Sequence, residues 1–230
     1  MPGDRIPMEI IHTSDLHLRA INTKACRFFE AIIDLALEKR VTLVIIAGDF
    51  FDYNAVDDSL VSFAVQQLKR APCQVFILPG NHDYLFPGSA YEREHLWQGA
   101  DNVKVFRRPE GETFNLPGLS VWGKPITDED GIRPLAGIPQ HNRDGRWHIA
   151  VAHGYYVDTD PPFHPEYHIT QDEILAAQQD YIALGHVPAF RCVCDERAWA
   201  YYSGEPLISG SVNVVALGEQ GRVEITRHFL

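Results

Sequence analysis

Residues 42–52 read TLVIIAGDFFD, an unbroken apolar run from Thr42 to Ala47 that ends abruptly on a glycine and two aspartates. A short run with no polar alternation suits a strand covered on both faces, as in a parallel sheet. Working outward, Met8 to Thr13 (MEIIHT) and Gln74 to Leu78 (QVFIL) are runs of the same kind. Between them lie two amphipathic stretches. Lys24 to Lys39 carries Phe28, Ile32, Leu35 and Ala36 as an apolar stripe, and Ser59 to Arg70 carries Leu60, Phe63, Ala64 and Leu68. This β-α-β-α-β opening implies parallel pairing through right-handed crossovers.

Beyond it the spacing predicts a helix around Ser89 to Gln98 and shorter, half-exposed strands at Val103 to Arg107, Glu112 to Leu116 and Leu119 to Gly123. Pro125 to Arg146, rich in Pro, Gly and charge, reads as a long surface connection. Strand character returns at His148 to Ala152. Thr170-Gln-Asp-Glu173 is a capping box for a helix to about Gln179, and Tyr181 to Leu184 is a further strand. Strands near Ala198 to Tyr202, Val212 to Leu217 and Arg222 to Phe229 close the chain. With no repeat or linker in 230 residues, the expectation is one domain, 1–230, of two packed sheets with helices outside.

Lys plus Arg number 20 against 31 Asp plus Glu, a formal charge of −11. That balance argues against a broad basic face for nucleic acid and leaves only local contact, through Arg107, Arg108, Arg143, Arg146 or Arg191. It is compatible with acids gathered to hold cations. No signal sequence or membrane-length apolar stretch is present, so a soluble cytoplasmic protein is expected. Cys26, Cys73, Cys192 and Cys194 lack the spacing of a zinc knuckle or disulfide framework and are expected to be reduced thiols.

Each apolar run delivers a metal-capable side chain at its end: Asp15 and His17, then Asp49 and Asp52, then Asn81, His82 and Asp83, then His153, then His186. Carboxyl ends of parallel strands share one rim, where ligands bind, so residues scattered along the chain can converge. Taken singly, each has a commoner use: an aspartate caps a turn, an asparagine forms one, a histidine hydrogen-bonds in a core. Five such groups in succession, each at the end of an apolar run, are not independent accidents. Carboxylate, imidazole and amide oxygen together suit a divalent transition ion better than Ca²⁺.

These motifs, D-x-H (Asp15, His17), G-D-x-x-D (Gly48, Asp49, Asp52), G-N-H-D (Gly80 to Asp83), a later His-Gly (His153) and G-H (Gly185, His186), resemble the calcineurin-like metallophosphoesterases, in that family's order. The wording IIHTSDLHL and GDFFD is most similar to the branch of SbcD-type DNA repair nucleases. The resemblance implies a four-layer α/β/β/α sandwich of two mixed sheets flanked by helices, with a dinuclear site at one edge. It also implies Asp15 and His17 on a first ion, Asp49 bridging, and Asn81, His153 and His186 on a second. His82 would be the general acid, oriented by Asp52, and a metal-bridging hydroxide the nucleophile. The cofactor expected is a pair of divalent ions, Mn²⁺ first, with Fe²⁺, Zn²⁺ or Ni²⁺ also suited.

The family's last motif is usually G-H-x-H, whereas here it reads Gly185-His186-Val187-Pro188. Proline offers no ligand atom. The first site is therefore expected to bind its ion more weakly, to keep an open position, or to borrow a group, for which Asp158, Asp160, His164, Glu166 and His168 are candidates. The function expected is phosphoester hydrolysis, of phosphodiesters first; a phosphomonoesterase or cyclic-nucleotide diesterase is the alternative, and a metal-less scaffold the third reading. Phe51, Tyr53, Tyr84, Phe86, Tyr155 and Tyr156 adjoin the motifs and could stack on a base or fill the core. No protein partner can be named.

Overall fold

In the computed structural model, which describes residues 5–127, 132–140, 144–157, 167–194 and 198–230, the parallel opening is seen directly. Strands β1 (Met8–Thr13), β2 (Leu43–Ala47), β3 (Gln74–Leu78) and β4 (Val103–Val105) pair in parallel, in that order. The last two strands of the chain, β13 (Ser211–Leu217) and β14 (Val223–Phe229), add antiparallel beside β1 and complete a mixed sheet ordered β14-β13-β1-β2-β3-β4. A second mixed sheet is built from β5 (Glu112–Leu116), β6 (Leu119–Gly123), β7 (Trp147–His153), β10 (Tyr181–Gly185), β11 (Arg191–Cys194) and β12 (Trp199–Tyr202), ordered β11-β12-β10-β7-β6-β5. Two short strands, β8 (Tyr155–Val157) and β9 (His168–Thr170), form a small parallel pair beside it.

Three apolar layers follow from the alternation along these strands. Ile10, Leu43, Ile45, Phe76 and Leu78 of the first sheet face Val121, Trp147, Ile149 and Ala183 of the second. The opposite faces carry the helices. Helix α1 (Lys24–Lys39) and helix α2 (Asp58–Lys69) cover Ile11, Val44, Ile46, Val75 and Ile77, while helix α4 (Gln171–Ala177) covers Ala150, Ile182 and Ala200. This is the expected sandwich of two mixed sheets between helices.

Local differences have local causes. The buried stripe of α1 runs through Phe29, Ile32, Ile33 and Ala36, so Phe29 rather than Phe28 is the core aromatic; Phe28 sits half-buried beneath the Lys24 ammonium. The 89–98 stretch is not one helix but a 3-10 turn at Ala90–Glu92 and a short α3 (Glu94–Trp97), divided at Arg93, whose ψ of 66° is not helical. The Thr170–Glu173 capping box is present with both of its reciprocal bonds and starts α4. The 125–146 connection falls partly outside the described residues, and among those described no helix is long and apolar enough to cross a membrane.

The inter-sheet core holds a polar cluster. His12 Nδ1 lies 2.8 Å from the Tyr181 hydroxyl and 3.4 Å from Asn213 Nδ2, all three residues being buried. Burial, partly opposed by a hydrogen bond with Leu184, pushes the His12 pKa down to about 3. An unfolded histidine near 6.5 takes up a proton that the native state refuses, so His12 stabilises the fold above that value and the contribution is lost as pH falls from 6.5 toward 3. The expected loss is roughly 1.4 kcal/mol per pH unit across that window. Denaturation of wild type and His12→Gln at pH 7 and pH 4.5 checks this: the variant should lose less stability on acidification, and equal losses would refute the assignment.

Candidate metal centre

The two sheets meet at the carboxyl ends of β1, β2, β3, β7 and β10, and their backbones touch. A Cβ placed on Gly185 would stand 1.7 Å from the Ala47 carbonyl oxygen, and one on Gly48 would stand 1.9 Å from His153 Nδ1. Only glycine permits that approach, and Gly48 also holds a φ of 93°. Past the end of β1, Asp15 N–H donates to Gly48 O and His17 N–H to Asp49 O, each at 3.0 Å. Asp15, His17, Asp49 and His186 all have positive φ, between 45° and 100°. Four non-glycine residues in that region at one rim are a concentration of strain typical of a functional site.

Two groups of ligand atoms, each mutually within 4.8 Å, result: His17 with Asp49 and His82, and Asp49 with His153 and His186. Asp49 is common to both. One of its oxygens accepts the His82 backbone N–H at 2.9 Å; the other lies 3.3 Å from His153 Nε2 and 3.9 Å from His17 Nε2. On the second side Asn81 Oδ1 sits 3.0 Å from His153 Nε2 and 2.8 Å from His186 Nδ1, and those two nitrogens are 3.1 Å apart. His153 Nδ1–H donates to the Ala47 carbonyl at 2.9 Å, so the neutral ring directs a lone pair from Nε2 toward these acceptors.

Converging lone pairs are eased by a positive charge among them. In this protein a proton can supply it. Burial works against the charged imidazole of His153, but the charge and hydrogen bond of Asp49, with help from Asp15 and the Ala47 carbonyl, push its pKa up to about 9. Burial also works to raise Asp49, yet His153 outweighs it and Asp49 is held well below the usual carboxylate range. His186 is pushed down to about 3 by burial and by the His153 charge beside it. A divalent ion would serve the same need while replacing the proton, and the donor set of carboxylate, amide oxygen and imidazole fits one.

Asp15 joins neither group. Both of its oxygens accept the His186 backbone N–H, at 3.1 and 3.0 Å, and Ser14 Oγ donates to one of them. It thereby ties the end of β1 to the end of β10. Asp52 lies with its carboxylate 3.4 Å from His17 Nδ1, 3.6 Å from Arg19 and 4.0 Å from His82 Nδ1; the acceptor for His82 Nδ1–H is its backbone carbonyl, at 3.0 Å. The ring of His17 packs edge-on against that of His82, and Tyr155 stands edge-on to His186.

Sequence reasoning assigned no role to Asp83, which is fully buried. One oxygen accepts Gly80 N–H at 2.8 Å, and the other accepts Phe51 N–H at 3.0 Å and the Tyr91 hydroxyl. It fastens the loop bearing Asn81 and His82 to the loop bearing Asp49 and Asp52. Burial and the nearby Asp49 charge push its pKa up to about 6 against those hydrogen bonds. Of the suggested borrowed ligands, 158–166 lie outside the described residues, and His168 is buried against Arg133. Phe51 is core, whereas Tyr53 and Tyr155 are exposed. Arg107 pairs with Glu92 and Arg146 with Asp144, so neither adds to a basic face; Arg143 is outside the described residues.

Rim, sandwich and ligand clusters define a metallophosphoesterase architecture, and the calcineurin-like phosphoesterase family model matches residues 8–213; the chain belongs to that family. An uncharacterized metallophosphoesterase of Bacillus subtilis, YhaO, is 23% identical over 222 residues, covering 86% of this chain and 52% of that protein. The DNA double-strand break repair protein Mre11 of Saccharolobus solfataricus is 23% identical over 199 residues, covering 72% of this chain and 52% of its own length. The chain thus spans about half the length of these relatives, whose company agrees with the branch expected from its motifs. Among solved structures, a dimetal phosphatase from Danio rerio shares the fold with a TM-score of 0.58 at 11% identity, over 96% of this chain and 98% of that one.

Proposed function

We propose that the chain, acting as one domain, is a metal-dependent phosphoester hydrolase whose substrates are phosphodiesters. The observation that carries this reading is the convergence of Asp49, Asn81, His153 and His186 ligand atoms, within 2.8–3.3 Å of a neighbour, beside a second group that shares Asp49. Asp49 is the shared ligand, with Asp15 and His17 on one side and Asn81, His153 and His186 on the other. Two bound divalent ions, Mn²⁺ the favoured pair, would lower the pKa of water and neutralise charge on a phosphoryl group.

The chain's own residues do the rest. His153 is held in one tautomer by the Ala47 carbonyl, and Asp15 in one orientation by His186 N–H. His82, half-exposed at the rim, is oriented by Nδ1–H donating to the Asp52 carbonyl, which leaves Nε2 to give a proton to the departing oxygen. Nucleic acid enters as a substrate through the kinship with a DNA repair protein, and the net charge of −11 restricts it to local contact.

Chromogenic mono- and diesters assayed with and without Mn²⁺ test the reading. Metal-dependent turnover of diesters is expected. Monoester preference would favour the phosphatase alternative, and no turnover by metal-free protein that takes up no Mn²⁺ would favour the scaffold. His82→Ala should cost on the order of 10²–10⁴-fold in kcat on alkyl esters and much less on nitrophenyl esters, whose leaving group needs no proton. Equal losses on both would remove His82 from the acid role.

A further inference from the structure

The His17 side of the centre has no ligand atom at Pro188, yet the backbone of a glutamate, Glu205, stands next to that position. Ser203 Oγ lies 3.0 Å from Ser14 Oγ, which in turn donates to Asp15, so the chain after β12 is fastened to the end of β1. Gly204, with a φ of 81°, lies so close to 188–190 that a Cβ there would be 2.9 Å from both the Pro188 carbonyl oxygen and the Phe190 nitrogen. Glu205 follows, and its N–H donates to the Pro188 carbonyl at 3.0 Å.

Glu205 is half-buried and opens helix α5 (Pro206–Ser209), but its carboxylate makes no capping bond. That carboxylate makes no hydrogen bond or ion pair with any described residue. Its surroundings are those of the centre: burial raises its pKa, the nearby His17 lowers it, and the negative charges of Asp15 and Asp52 raise it further. A half-buried carboxylate without a partner, under the negative charges of Asp15 and Asp52, favours sharing a cation.

We propose that Glu205 completes the His17 side of the metal centre, its carboxylate taking the ligand position that Pro188 cannot fill. This rests on the metal-dependent reading above. Its two methylenes give the reach, and the Gly204 turn brings it to the rim. The third of the options open to a site without a histidine at 188 is thereby met, from a residue 17 positions on rather than from the 158–168 loop.

Mn²⁺ binding to the full chain, followed by calorimetry and by the spin-coupled resonance signal of a two-ion site, tests it apart from catalysis. Wild type should take up two ions. Glu205→Gln, which preserves shape, should bind one of them at least about tenfold more weakly and lose the coupled signal, with an unchanged melting temperature in EDTA. Glu205→His, which restores a ligand atom, should recover the second ion. If wild type and Glu205→Gln bind two ions alike, the proposal fails while the metal-dependent reading stands; if wild type binds none, both fail.

Discussion

Asp49→Asn is expected to leave the fold intact and to remove most of both metal binding and activity. The carboxylate is the one ligand that both clusters share, so a single substitution touches both. Asparagine keeps the shape and tolerates the left-handed φ of 52° that this position requires, which argues against unfolding as the cause. What it cannot keep is two acceptors and a negative charge. One oxygen can still take the His82 N–H, but an amide NH₂ then faces His153 Nε2, where an acceptor stands now. Without the Asp49 charge, the principal support for a protonated His153 is lost as well. Metal content of the purified variant should fall to one equivalent or below, and kcat/KM on any active ester by at least about 10⁴-fold, since both water activation and charge neutralisation depend on the ions. Retention of two equivalents with a rate within tenfold of wild type would show that Asp49 is not the shared ligand.

How far the fold could be read depended on the length and period of each run. TLVIIA and QVFIL are short unbroken apolar runs of the kind found in strands buried on both faces, and the stripes of α1 and α2 between them point to parallel crossovers. Elements of three or four residues, such as β8, β9 and α5, present no repeat to detect, and each is held by contacts made elsewhere. Gly154 N–H reaches Gly185 O and Tyr155 N–H reaches Tyr167 O, bonds that no local pattern announces. The choice between Phe28 and Phe29 turned on the pitch of one helix, where neighbouring residues differ by 100° and either could lead the stripe.

The gathering of side chains at one rim was legible where a polar residue ends an apolar run, and His17, Asp49, Asn81, His82, His153 and His186 do come together there. It was not legible where a backbone amide does the work. Asp15 is oriented by the N–H of a residue 171 positions away, and Asp83 by two amides and a tyrosine hydroxyl. Glu205 sits beside a helix start, where a carboxylate ordinarily means a cap, and only its place beside Pro188 gives it another meaning.

Gly185→Ala should damage the structure by steric conflict alone. Unlike Gly48, Gly185 has no positive φ, so its backbone would accept alanine; the obstacle is entirely steric. The added Cβ would fall 1.7 Å from the Ala47 carbonyl oxygen and 2.8 Å from His153 Nδ1, the very pair whose 2.9 Å hydrogen bond sets the tautomer of His153. Neither neighbour can yield: Ala47 ends a fully buried strand and His153 is itself wholly enclosed. Relief requires the end of β10 to move off β2, carrying His186 away from Asn81 and its N–H away from Asp15. Overpacking of this kind costs about 1–3 kcal/mol or more. At about 2–4 °C per kcal/mol for a chain of this size, the melting temperature should fall by roughly 2–12 °C. Gly210→Ala is the control, since φ is positive there at 64° but nothing lies within 4 Å of a new Cβ; it should cost roughly 1–2 kcal/mol and leave metal binding unchanged. If Gly185→Ala melted within 2 °C of wild type and kept its affinity for Mn²⁺, the contact between the two strand ends could not be what positions His153 and His186, and the rim would have to be assembled by the loops instead.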